Sequence, residues 1–279
     1  MAQNFGLGLG ATAAGLIVSA AQDLRSFQGL YLFDAITYAA LALVVFVVVP
    51  NRAAAAHSGA GEGGFLAVAR DRRFLILTAA NLVLIIVGYA LFANILPPFV
   101  KAHTRVGPGG IGLLFLFNAF VVVVAQLPAT RLLRRMRRAH VFGLASAIFA
   151  SALLAVLPAT LIHSKLGATV LVCGVAVVIA IGECVHTLVL GPLVADLAPP
   201  HLLGRYISVF SLMVTGGFAI GPAIGGAVLA TSPNAVWWGG ALVAAVVGAG
   251  LLLAGDRIPD ESLAAAASTA PGDPMPEAA

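Results

Sequence analysis

Residues 167–191 read GATVLVCGVAVVIAIGECVHTLVLG, twenty-five positions with one ionisable carboxylate, Glu183, and one imidazole, His186. A helix of this length is about 37 Å long at 1.5 Å per residue, enough to cross the roughly 30 Å hydrocarbon core of a bilayer. Lipid offers the backbone no hydrogen-bond partners, so a spanning segment must be a helix or part of a closed barrel. A continuous apolar run selects the helix, because barrel strands alternate over about ten residues.

Working outward from this run, similar windows occur at 4–21, 30–49, 75–97, 109–130, 140–160, 206–230 and 236–255. The expected architecture is therefore all-α and integral to the membrane, with about eight transmembrane helices. Composition agrees: 61% of the 279 residues are hydrophobic and 9% charged, against about 25% charged in soluble domains. The net charge of +4 does not point to nucleic acid, because the basic residues sit in short loops between apolar runs.

Those loops predict a topology. With a cytoplasmic N-terminus, the inner loops hold Arg52, Arg70, Arg72, Arg73, Arg131, Arg134, Arg135, Arg137, Arg138, Arg205 and Arg257, and the outer ones Arg25, Lys101, Arg105 and Lys165. Basic residues are retained on the cytoplasmic side, so a multi-pass cell-membrane protein with both termini cytoplasmic is expected. No leader peptide is expected, since the first apolar run starts almost at Met1 with no basic segment before it.

Two stretches depart from the helix-and-short-loop rhythm. Residues 50–73 contain AAAAHSGAGEGG at 53–64, which runs into GFLAVARDRRF, and read as a cytoplasmic linker followed by an amphipathic surface helix. It separates 1–49, with two spans, from 74–255, with six. The tail 256–279 is rich in Ala, Pro and acidic residues and is expected to be disordered. A glycine-rich echo between NFGLGLGATAAGLIVSA at 4–20 and SLMVTGGFAIGPAIGGAVLA at 211–230 suggests two similar halves, 1–49 being the last two helices of the first.

Residue types narrow the chemistry. Glu183 lies a few residues past the middle of its span, where an ionised group is costly and a function is the default reading. His186, three residues on, shares its helix face and is expected within reach as a partner. Asn81, Asn118 and Gln126 are polar positions that line a cavity or bridge helices. Gly217, Gly221 and Gly225 recur every fourth residue, a spacing that lets a neighbouring backbone approach closely for packing or gating. Gly226 belongs to the same glycine-rich stretch, and Pro222 adds a bend. Arg131, Arg134, Arg135, Arg137 and Arg138 form a basic loop suited to topology anchoring or anionic headgroups. Cys173 and Cys184 share one span, which argues against a disulfide framework or metal site and for packing. No carboxylate cluster or metal-ligand set indicates an enzyme, and no cofactor is expected.

A family resemblance rests on four stretches. GECVHTLVLGPLVADLAPPHLLGRY at 182–206 resembles the tenth helix and following loop of major facilitator superfamily multidrug-efflux proteins. GPAIGG at 221–226 is similar to the Gly-Pro-x-x-Gly-Gly signature of that superfamily's antiporters. LFDAITYAALALV at 32–44 resembles the sixth helix, and RLLRRMRR at 131–138 the loop between helices eight and nine. The resemblance runs from about residue 4 to 255 and covers helices five to twelve, so it implies a major facilitator fold without the first four helices. It further implies a secondary transporter, a proton-coupled exporter of small amphipathic compounds, with Glu183 and His186 in proton coupling or substrate binding. The alternative is a non-transporting fragment that needs a partner chain to supply the other helices. One departure stands out: the family's basic loop normally carries an aspartate, whereas 126–138 contains none, so any latch there is expected to rely on arginines alone.

Overall fold

A computed structural model describes residues 24–48 and 64–255 and, of residues 1–23, only Gly6, Gly10, Ala13 and Ile17. The expected first span, residues 50–63 of the linker and the 256–279 tail lie outside the described residues. Among the described residues seven helices are long and apolar enough to cross a membrane, and there is no strand.

The elements are α1 (Leu24–Val48), α2 (Phe65–Arg70), α3 (Arg72–Leu84), a π-helical segment (Ile85–Ile95), α4 (Leu96–His103), α5 (Pro108–Leu133), α6 (Arg138–Val156), α7 (Lys165–Leu197), α8 (Leu203–Thr231) and α9 (Ala235–Leu253). Helices α3, the π segment and α4 run on as a single span, Arg72–His103, several residues longer at each end than the apolar window. Local chemistry sets the ends. Asp71 caps α3, its Oδ1 accepting from the Phe74 N–H at 3.1 Å, and Ser164 caps α7 by accepting from the Gly167 N–H at 3.3 Å. Each cap satisfies a donor that the helix start leaves without a partner.

The π segment was not legible in the apolar pattern. It ends just before Pro97 and Pro98, which open α4. A proline ring clashes with the carbonyl four residues back and brings no N–H, and a wider turn ahead of it relieves both problems. Asn94 assists by donating from Nδ2 to the Ala90 carbonyl at 3.2 Å.

Helix α6 sits at the centre, between α7 and α9, with Val141, Phe142, Ala145, Phe149, Ala152 and Leu153 buried. Helix α5 packs on α7, and α8 packs on the π segment and α3. The described residues of α1 behave differently, with Tyr31, Leu43 and Phe46 among many exposed apolar side chains. Apolar exposure of this kind is ordinary against lipid or another helix and costly against water.

The glycine stripe of α8 has a definite neighbour. A Cβ built on Gly217 falls 2.6 Å from Ile85, one on Gly221 2.5 Å from Ala90, and one on Gly225 2.8 Å from Leu91 and Ile95. All four neighbours belong to the π segment. Gly226 was grouped with them by sequence, but a Cβ there meets nothing within 4 Å, because one further residue turns it about 100° off the stripe. Gly221→Val is accordingly expected to lower stability by about 1–3 kcal/mol through overpacking, whereas Gly226→Ala is expected to be neutral or better. Thermal unfolding of the two variants in one detergent checks this, and equal midpoints would discard the assignment.

The spans share two ends. At one end the Tyr206 hydroxyl donates to Asp71 Oδ2 at 2.9 Å, and Val68 of α2 packs with Phe74, Val194, Ala198 and Leu202. Arg138 and Asp196 form an ion pair at that end. At the other end Lys165 lies beside Gly107, and the rings of Phe99 and Trp237 are 5.0 Å apart.

Candidate functional site: a polar patch in a membrane cavity

A cavity of about 820 Å³ lies between the π segment, α5, α7 and α8. Its walls are largely aromatic and aliphatic, with Phe92, Phe115, Phe210 and Phe218 among them. The polar groups are Tyr89, Asn118, Gln126, Glu183 and Thr187. A volume of this size suits a drug-sized molecule, and a few polar groups in apolar walls are the usual make-up of such a site.

Two side-chain bridges cross from α5 to α7 along the wall. Asn118 Nδ2 donates to Glu183 Oε1, and Gln126 Nε2 to the Thr187 hydroxyl, both at 3.5 Å. These are long hydrogen bonds at the outer limit of useful geometry, so they hold the groups in place without consuming them. Glu183 is 8% exposed, and no Lys or Arg is among the described residues lining the cavity. Its charge is thus uncompensated by any lining cation.

The other expected site residues are placed as follows. Asn118 and Gln126 face the cavity; Asn81 does not. It is buried against a small void beside Thr78, Leu193 and Val194, and neither atom of its amide has a hydrogen-bond partner among the described residues. A spacing of polar residues along α3 does not reveal which face turns inward. His186 and Glu183 are likewise not brought together. His186 Nδ1 and Tyr89 Oη are 3.1 Å apart, in hydrogen-bond contact, and the imidazole is fully buried among the rings of Phe142, Phe149 and Tyr89. Three residues advance a helix by about 300°, so the two side chains diverge by about 60°. Here that is enough to send one into the cavity and the other between α6 and the π segment.

In the basic loop, Arg131, Arg134, Arg135 and Arg137 are exposed. Arg138 differs: it is the first residue of α6, fully buried, and donates from its guanidinium to Asp196 near the end of α7. The arginines therefore do not act alone. The acid absent from 126–138 comes from α7, which folding brings alongside.

Tyr89 and the phenylalanine walls were not singled out by sequence. Tyr89 carried a usable signal: tyrosines in membrane helices favour the interfaces, and this one lies mid-span. The phenylalanines carried none, since apolar residues are the default there. Among the described residues no three His, Cys, Asp or Glu side chains come together as a metal site.

A bundle of membrane-spanning helices enclosing a mostly apolar cavity with a buried carboxylate defines a membrane transporter type of architecture. Residues 78–276 match the family model described as Major Facilitator Superfamily. The chain belongs to that superfamily, whose members are membrane transporters. No curated protein and no solved structure matches the chain.

Proposed function

We propose that the cavity is the substrate site of a proton-coupled exporter of small amphipathic compounds, and that Glu183 is where proton and substrate charge compete. The observation that carries this reading is the position of Glu183: a carboxylate facing an apolar, aromatic-walled cavity, bonded to Asn118 and with no cation among the described lining residues. Such a group favours a ligand that supplies positive charge together with apolar rings, because aromatic faces attract cations and the carboxylate neutralises them. An aromatic monocation is thus the preferred cargo. Tetraphenylphosphonium is a suitable probe. The full chain in lipid nanodiscs should bind it, and Glu183→Gln should weaken that binding at least about tenfold, corresponding to loss of about 1.4 kcal/mol of attraction. Undiminished binding by the Gln variant would remove the carboxylate from the site.

The arginine-rich end of the bundle is read as cytoplasmic. Cysteines introduced at Arg135 and Lys165 report on this, the buried native Cys173 and Cys184 giving little background. Impermeant labelling of intact cells should reach position 165 and spare position 135. The reverse pattern would invert the topology.

A second reading is favoured by one observation: among the described residues the cavity is lined by the π segment, α5, α7 and α8, and α1, whose apolar surface is exposed, contributes no lining residue. Under this reading the described bundle forms half of the substrate site. The unit 74–255 then binds cargo, and further helices, from residues 1–49 with or without a partner chain, complete the transport pathway. Vesicles containing only this chain discriminate. Binding of tetraphenylphosphonium without gradient-driven uptake is the expected outcome, and uptake above that of protein-free vesicles would show the chain to be sufficient.

A further inference from the structure

The π segment is held in unlike ways on its two sides. Toward α8 the contact is apolar: Ile85, Ala90, Leu91 and Ile95 seat on Gly217, Gly221 and Gly225, and the Tyr89 ring meets Phe218 edge-on at 6.4 Å. Toward α6 and α7 it is keyed in place. Phe149 of α6 fills the space beside both Gly88 of the π segment and Gly182 of α7, where a Cβ on either glycine would fall 2.8 Å from its ring. Directly after these glycines come Tyr89 and Glu183. The Tyr89 ring packs edge-on against Phe149 at 5.6 Å, and its hydroxyl reaches past the cavity wall to His186.

Among the described residues that hydrogen bond is the one side-chain polar tie between the π segment and α7, and it is fully enclosed on the imidazole side. The remaining ring nitrogen, His186 Nε2, has no partner there. Losing the Tyr89 contact would leave both imidazole nitrogens buried and unsatisfied, so the pair is costly to separate. Between α8 and the π segment, by contrast, only apolar contacts would need to shift.

We infer that Tyr89 is a positioning residue: its hydrogen bond to His186 keeps the wall formed by Tyr89 and Phe92 in register with Glu183. This deepens the cavity reading above and rests on it for the consequence at Glu183, not for the tie itself.

Hydrogen exchange of the full chain in lipid nanodiscs tests the tie without any ligand. Tyr89→Phe and His186→Leu are each expected to speed amide exchange across Ile85–Ile95 by up to about tenfold, with α9 unchanged. The double variant should be no faster than the faster single one, because each substitution removes the same bond. His186→Leu also leaves no unsatisfied imidazole, so it keeps the test open should Tyr89→Phe fail to fold. A second arm adds tetraphenylphosphonium. It should slow exchange across Ile85–Ile95 in the unmodified chain, whereas His186→Leu, at a residue that does not line the cavity, should bind it with a Kd within about threefold yet lose that protection. Unchanged exchange in both single variants, acceleration spread equally over every span, or additive effects in the double variant would overturn the inference. Loss of binding in His186→Leu would also overturn it, by making the imidazole part of the binding site. Failure of the unmodified chain to bind the probe would instead count against the cavity as a cation site, with the ligand-free arm still deciding the tie.

Discussion

In the transporter completed by the helices that supply the rest of the pathway, Glu183→Gln is expected to abolish the pH-gradient-dependent part of export while leaving the bundle folded. The amide is nearly isosteric with the carboxyl group and can still meet Asn118, so the α5 to α7 bridge survives. What it cannot do is change charge. A carboxylate this deep among apolar walls must be neutral, paired or hydrated through the cavity, and each condition ties its charge to conformation and occupancy. Glu183→Asp still titrates, and is expected to keep part of the activity, although its shorter side chain draws back from Asn118. Uptake of tetraphenylphosphonium into inverted vesicles from cells that also supply the completing helices, at equal protein content and with or without an imposed pH gradient, is the comparison that matters. If the Gln variant retained the full gradient dependence, Glu183 would be a packing residue and the coupling group would lie elsewhere.

Removing the carboxylate of Asp196 is expected to have the largest effect on stability. Arg138 is fully buried, and its Nε and Nη1 have no partner among the described residues, so Asp196 carries the compensation of its charge. Breaking a buried pair from one side costs about 3–5 kcal/mol because the other charge is left stranded. Asp196 is 31% exposed, which lets water screen part of the loss and places Asp196→Ala near the lower limit, about 3 kcal/mol. The double variant Arg138→Met, Asp196→Leu should recover most of that, since removing both charges also removes their desolvation cost. Unfolding of the three proteins in one detergent decides the matter. A double variant as unstable as Asp196→Ala would mean that the pair is worth more than the burial it requires.

The site was legible in proportion to how much local chemistry announced it. Glu183 stood out because a carboxylate within an apolar run needs a reason, and the structure places it on the cavity wall with Asn118 and Gln126. Asn81 looked equivalent on the page, yet it turns away from the cavity, because the facing of a helix with apolar residues on all sides is set by its neighbours and not by its own pattern. The same limit explains His186. Its spacing from Glu183 suggested a pair, but the ring of Phe149 and the hydroxyl of Tyr89, both distant in sequence, decided where it went.

By itself, then, the sequence determined what the bilayer demands locally: helical spans of sufficient length, basic residues gathered in alternate loops, and the family recorded in the 182–206 and 221–226 stretches. Hydrocarbon penalises every unpaired backbone group and every stray charge, so these features must be written residue by residue. Only the tertiary structure decided which faces meet. It set Gly221 against Ala90 but left Gly226 open, drew Arg138 inward to an acid 58 residues away, and widened Ile85–Ile95 into the segment that carries Tyr89 to His186. Between helices that are apolar on every side, the choice of partner rests on shape and on a few enclosed polar contacts, and neither is visible until the helices are packed.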